Sequence, residues 1–174
     1  MIDIEAFNKV SYGMYIVSSG KGNEGNGFIS NSVIQVTSEP PQFAVCCHKN
    51  NYSSEMIEKH RSFVISVLKQ DTKPEIIGRF GFRNGKMFNK LEGMEISYDE
   101  SGTPIVMNES IAYIECTLKQ RFDVGSHFLF IGEAINTHVI ENESEPLTYA
   151  YYKKVKKGFA PKNAPTYLQK KAVP

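Results

Sequence analysis

No CxxC pair occurs in the sequence. Its three cysteines, Cys46, Cys47 and Cys116, are too few and too badly spaced for an iron or zinc site or for a disulfide framework. They read as small buried hydrophobes in strands of a protein kept in a reducing compartment. Nor does any stretch approach the roughly 18 apolar residues that a membrane span needs. The opening MIDIEAFNKV carries acidic side chains early and lacks the basic segment and apolar run of a secretion signal, so a cytoplasmic protein is expected. Charge of either sign is scarcely in excess. Lys and Arg number 20 against 19 Asp and Glu, a net charge of +1, which gives no reason to expect a nucleic-acid partner. Any anion site must be local.

What is present is an ordinary globular composition over 174 residues, with 41% hydrophobic and 22% charged side chains. Such a length fits one domain that buries roughly two thirds of its unfolded surface. Runs rich in Val, Ile, Phe and Tyr, bounded by turn residues, predict strands over 14–18, 28–38, 43–48, 63–68, 112–122 and 127–140. In the first of the two long runs, Ala112, Ile114, Cys116 and Leu118 alternate with Tyr113, Glu115 and Thr117, and the pair reads as a hairpin turning at 123–126. Two short helices are expected, over 51–61 with Asn and Ser at its start and over 72–80 with Pro74 in its first turn. Many strands and few helices indicate a mainly β fold, an antiparallel barrel in place of a βαβ sheet. The organisation expected is a domain over 1–152 and an extended arm over 153–174. In that arm Lys153, Lys154, Lys156 and Lys157 precede spaced prolines without apolar periodicity, which reads either as a solubilising terminus or as a segment that packs through Phe159 and Tyr167.

Three segments could carry chemistry, and none is a nucleophile or acid-base motif. The first runs from Asn26 to Pro41, where Asn31, Ser32, Gln35, Thr37 and Ser38 interrupt a strand-like pattern. Buried polar groups need partners, which a planar ligand edged with carbonyls and ring nitrogens would supply. A wet edge strand is the plainer alternative. The second is His48-Lys-Asn-Asn-Tyr-Ser-Ser54, which leads from a strand into a helix. There Lys49, Asn51 and Ser53 could hold a phosphate, unless they merely cap the helix. The third, Gly78 to Lys86, reads as a glycine-rich basic loop in which Arg83 or Lys86 meets a phosphate and Phe80 or Phe82 covers an apolar ring. A solvated turn would look much the same.

Together these segments carry a resemblance. The order NG-x3-N-S-x2-Q-V-T-S-x-P-P, K-N-N-Y-S, R-F-G-F-R-N-G-K, D-V-G-S-H-x3-I-G-E and Y-A-Y-Y-K-K-V-K-K-G resembles the flavin reductase family, and within it the flavin domain of high-molecular-weight rubredoxin and flavoredoxin-type proteins. The resemblance implies a split β-barrel binding flavin mononucleotide (FMN), usually as a homodimer. It implies hydride transfer from NADH or NADPH to the flavin, and onward transfer to free flavin, an iron protein or oxygen. Carried over, Asn31, Ser32, Gln35, Val36, Thr37 and Ser38 would line the ring and ribityl chain, and Lys49, Asn51 and Ser53 would meet the phosphate. His127 matches a histidine near the flavin face and the nicotinamide, with a hairpin-capping role as its alternative. Because the cofactor supplies the reactivity, the lack of an acid-base constellation is no objection. Relatives with a fused rubredoxin carry paired CxxC motifs after the flavin domain. None follows here, so an iron-protein acceptor would be a separate chain. An electron carrier reduced by a partner protein, without a nicotinamide site, is the rival expectation.

Overall fold

Strand β1 (Tyr15–Ser19) has a side chain buried on each of its faces. Val17 enters one apolar cluster, with Phe28, Val45, Phe63, Cys116, Leu118 and Phe130, while its neighbour Ile16 enters another, with Leu68, Ile77, Phe80 and Leu147. A strand buried on both faces has no use for polar alternation, and β5 (Ser62–Leu68) follows the same rule. The computed structural model describes residues 2–167 and contains the further strands β2 (Asn26–Ser30), β3 (Val33–Ser38), β4 (Pro41–His48), β6 (Ile96–Tyr98), β7 (Pro104–Val106), β8 (Ser110–Asp123) and β9 (His127–Val139). Among the described residues the α-helices are α1 (Tyr52–His60), α2 (Pro74–Phe82) and α3 (Tyr149–Lys154).

Seven strands form one antiparallel sheet in the order β2-β1-β5-β8-β9-β4-β3, and β6 pairs with β7 separately. The two edges of the large sheet, β2 and β3, are consecutive in the chain and joined through Asn31 and Ser32 alone. Laid flat, six interstrand spacings would separate those edges by roughly 29 Å. A link of two residues spans no more than about 11 Å. The sheet therefore curls until its edges meet, and the backbone N–H of Cys46 donates to the Ser32 carbonyl at 3.1 Å beside that seam. This is the split β-barrel. The first apolar cluster fills its interior, and the second lies between its outer face, α2 and α3.

The expected strands and the hairpin are present, and the turn between β8 and β9 places Gly125 at φ 95°. The run expected over 28–38 is two strands, broken where the seam turns. The second helix begins at Pro74, not Thr72, whose hydroxyl donates to the Lys69 carbonyl before the helix starts. Residues 78–80, which the sequence placed both in this helix and at the start of a glycine-rich loop, belong to α2, which runs on through Gly81 and Phe82. Helix α3 and the β6–β7 hairpin were not expected, and α3 takes in Lys153 and Lys154. Cys47 and Cys116 are buried, and burial pushes the Cys116 thiol up to about 12, so neither is primed to react. Among the described residues no helix is long and apolar enough to cross a membrane, and no group of side chains could hold a metal ion.

Candidate functional site

Where the barrel edges meet, the seam opens into a cleft of two adjoining compartments. The apolar one, about 60 Å³, is walled by Phe28, Asn31, Cys46, Phe80 and Phe82 and roofed by Phe159 and Pro161. The polar one, about 570 Å³, lies between Asn51 and Tyr52 on one side and Arg83, Gly85 and Lys90 on the other. Local sequence explains both walls. The Asn51 side chain accepts from the Ser53 N–H at 3.2 Å, which starts α1 and aims its positive end at the polar compartment. At Gly85 a Cβ would stand 2.0 Å from Asn26 Nδ2, so only glycine lets the chain pass that close.

Lys90 is 3% exposed, and its ammonium donates to the carbonyls of Gly27 (2.9 Å) and Phe80 (3.0 Å). No carboxylate pairs with it among the described residues. Burial pushes its pKa down to about 8. Below that pH both folded and unfolded chains hold the proton, and the burial penalty is present in full. Between about pH 8 and the ordinary lysine value, the unfolded chain keeps a proton that the folded chain gives up, so Lys90 adds stability as pH rises, by up to ~3 kcal/mol. Urea unfolding across that window should show wild type gaining on Lys90→Met. A gap that does not change with pH would mean that the folded lysine keeps its proton.

His127 opens β9 beside the cleft. Its Nε2 lies 3.0 Å from the Asn163 carbonyl, which can only accept, so Nε2 carries the proton and Nδ1 accepts from Ser126 Oγ at 2.8 Å. His48 stands edge-on to it, with ring centroids 4.9 Å apart, and burial together with His127 lowers its pKa. The roof is tied down by polar contacts. Asn31 Nδ2 donates to Thr166 Oγ1 at 2.7 Å, Tyr152 donates its hydroxyl proton to the Phe159 carbonyl at 3.2 Å, and the Phe82 and Phe159 rings meet edge to face.

A family model described as the flavin reductase like domain matches residues 7–158. The chain belongs to that family. It is 42% identical over 170 residues to a ferric-chelate reductase (NAD(P)H) of Archaeoglobus fulgidus, covering 98% of this chain and 100% of the relative. It is 40% identical over 166 residues to the high molecular weight rubredoxin of Moorella thermoacetica, covering 95% of this chain and 72% of that one. The fold matches an NADH:FAD oxidoreductase of Streptomyces globisporus, solved with NAD and FAD fragments, at a TM-score of 0.75 and 21% identity, over 87% of this chain and 92% of the other. The chain is thus an oxidoreductase of the flavin reductase type.

In this flavin reductase-like fold the residues singled out from sequence separate into groups. Asn31, Asn51 and Phe80 line the apolar compartment, and Arg83 lines the polar one, its guanidinium 4.2 Å from the centre of the Phe88 ring. Ser32 donates to the Asn31 side chain at 3.3 Å. Ser53 is fully buried beneath the start of α1, where its hydroxyl accepts from Asn26 at 3.4 Å. Lys49 pairs with Asp123 at 2.7 Å and lies over Phe128, on the flank of the β8–β9 hairpin. Gln35, Val36, Thr37 and Ser38 are exposed along the edge strand β3 and do not line the cleft. Sequence reasoning missed Lys90, Tyr149, Tyr152 and the roof contacts of Asn163 and Thr166. The i, i+3 spacing of Tyr149 and Tyr152 was a helical signal, whereas nothing in N-K-L-E marks Lys90 as buried.

Proposed function

We propose that the cleft binds FMN and that the protein is an NAD(P)H-dependent flavin reductase. The observation that carries this reading is the cleft's division into an apolar end walled by Phe80 and Phe82 and a basic end with Arg83, Lys90 and the start of α1. A flat apolar ring joined by a polar chain to a phosphate matches that division, and the buried, unpaired charge of Lys90 suits an anion. FMN would supply the hydride chemistry, accepting from NADH or NADPH and passing electrons on. The protein's part is placement and electrostatics. Asn31 offers an amide at the seam, Asn51 and Arg83 hold the anionic end, and the aromatic walls keep water from the ring face. His127, with its proton fixed on Nε2, presents a donor to an incoming nicotinamide once the Asn163 carbonyl moves away. In this reading Gln35, Val36, Thr37 and Ser38 reach a flavin when a second copy covers β3, so the working form is a homodimer. Exposed Ile34 and Val36 on that strand support it. The reading places the enzyme in the cytoplasm, with free flavin, an iron protein such as a separate rubredoxin, or oxygen as acceptor.

One observation favours a second reading, an FMN electron carrier reduced by a partner protein. Residues 159–165 roof the cleft where a nicotinamide would stack. Anaerobic addition of NADH and NADPH to the FMN-loaded protein separates the two. Bleaching of the visible flavin band is expected with at least one nucleotide. In the reductase, His127→Ala should slow that bleaching at least about tenfold, a loss of ~1.4 kcal/mol, while FMN stays bound. A flavin that dithionite bleaches and neither nucleotide touches would establish the carrier. Loss of FMN from the His127 variant would make that residue a flavin-holding one.

A further inference from the structure

We propose that the lysine-bearing surface formed by residues 153–162 is the docking site for a small acidic redox protein that takes electrons from the cleft, an inference that rests on the flavin reading above. Five of the chain's 20 basic side chains fall in this stretch, KKVKKGFAPK, which contains no acid; the other 15 face all 19 acidic ones. A net charge of +1 thus conceals a strongly positive patch on an otherwise acidic molecule. Elsewhere Lys49, Lys59, Lys69, Lys73, Lys86 and Lys119 each pair with a carboxylate. Among the described residues Lys153, Lys154, Lys156, Lys157 and Lys162 pair with none. Lys153 only donates to the Asn8 side chain at 3.0 Å, and both Lys153 and Lys156 lie over tyrosine rings.

Three features select a protein over a nucleotide. The charges spread from the end of α3 along the roof of the cleft, a wider span than one phosphate requires. Apolar side chains stand exposed among them, Phe159 at 68% and Val155 at 58%, with Phe82 at 44% in edge-to-face contact with Phe159. An aromatic anchor within a charged rim is the composition of a protein interface, and weak electron-transfer contacts are small and steered by charge. Position supplies the third: Phe159 and Pro161 are at once part of the patch and part of the cleft roof, so a partner seated there stands over the apolar compartment.

The test uses the full chain loaded with FMN, its flavin reduced anaerobically with dithionite, and an oxidised acidic rubredoxin as probe. Exposed Lys154 and Lys157, outside the cleft, are reversed together as Lys154→Glu and Lys157→Glu. The second-order rate of rubredoxin reduction should fall at least about tenfold at low salt, and its decline with added salt should largely vanish. Reduction of benzoquinone, which is neutral, should be unchanged, as should flavin content. Unchanged rubredoxin rates and salt dependence would overturn the docking site, and so would a rise in KM for NADPH with rubredoxin kinetics intact, which would assign the lysines to a nucleotide phosphate. Should the chain take up no FMN, the flavin reading falls on its own. Docking is then read by chemical-shift titration of labelled rubredoxin with each chain, where about tenfold weaker binding by the variant is expected and equal binding refutes the site.

Discussion

Gly132→Ala should lower the unfolding free energy by about 1–3 kcal/mol, read from urea titrations, although it adds a single methyl group. Gly132 lies in β9, where a Cβ would meet Phe63 Cζ at 2.4 Å, Phe63 Cε1 at 2.6 Å and Cys116 Cβ at 2.9 Å. Phe63 is fully buried in the barrel interior and has no space into which to retreat. Removing the ring is costly in its own right, because Phe63→Ala leaves a cavity worth about 3–5 kcal/mol. The two sites are therefore coupled. In a Phe63→Leu background the alanine at 132 should cost distinctly less than in wild type, because the ring atoms that exclude it are gone. Equal penalties in both backgrounds would show that something other than the ring demands glycine here.

Arg83→Ala should weaken FMN retention by roughly ten- to a hundredfold, the loss of one charge-assisted contact of about 1.5–3 kcal/mol. Arg83 faces the polar compartment with its guanidinium held over Phe88, so little side-chain freedom remains to be lost on binding. Lys49→Ala should have a much smaller effect, since Asp123 already holds that ammonium on the hairpin flank. Equilibrium dialysis of FMN against the two variants decides the matter. A larger loss for Lys49→Ala would move the phosphate toward the β8–β9 hairpin.

How much of this was legible in the sequence depended on whether the deciding interaction was periodic. Alternation through Ile114, Cys116 and Leu118 betrayed β8, and these three do pack in the barrel interior. The break at Asn31 and Ser32 was invisible because it arises from closure of the sheet, a contact between strands far apart in the sheet order. Gly81 and Phe82 looked like loop beyond the expected end of the helix at residue 80, yet α2 continues through them, with Phe80 buried against the outer face. The motif order led to the cleft through Asn31, Asn51, Phe80 and Arg83. It gave no hint that Lys90, in a stretch that reads as solvated, is held by two carbonyls. Partners that are backbone atoms leave no mark in a side-chain pattern.

The two-residue link at Asn31 and Ser32 also decides where the barrel breathes. Its edge strands are pinned to each other at that end by covalent bonds and elsewhere by packing alone, so the seam resembles a clothes peg with its spring at the link. Thermal opening grows with distance from the spring. Asn31 belongs to the link and Cys46 sits beside it, so the cleft they line lies where the two edges are held most firmly together. The far half of β3, with Gln35 to Ser38, lies farthest from that link and is held on one side only, by β4.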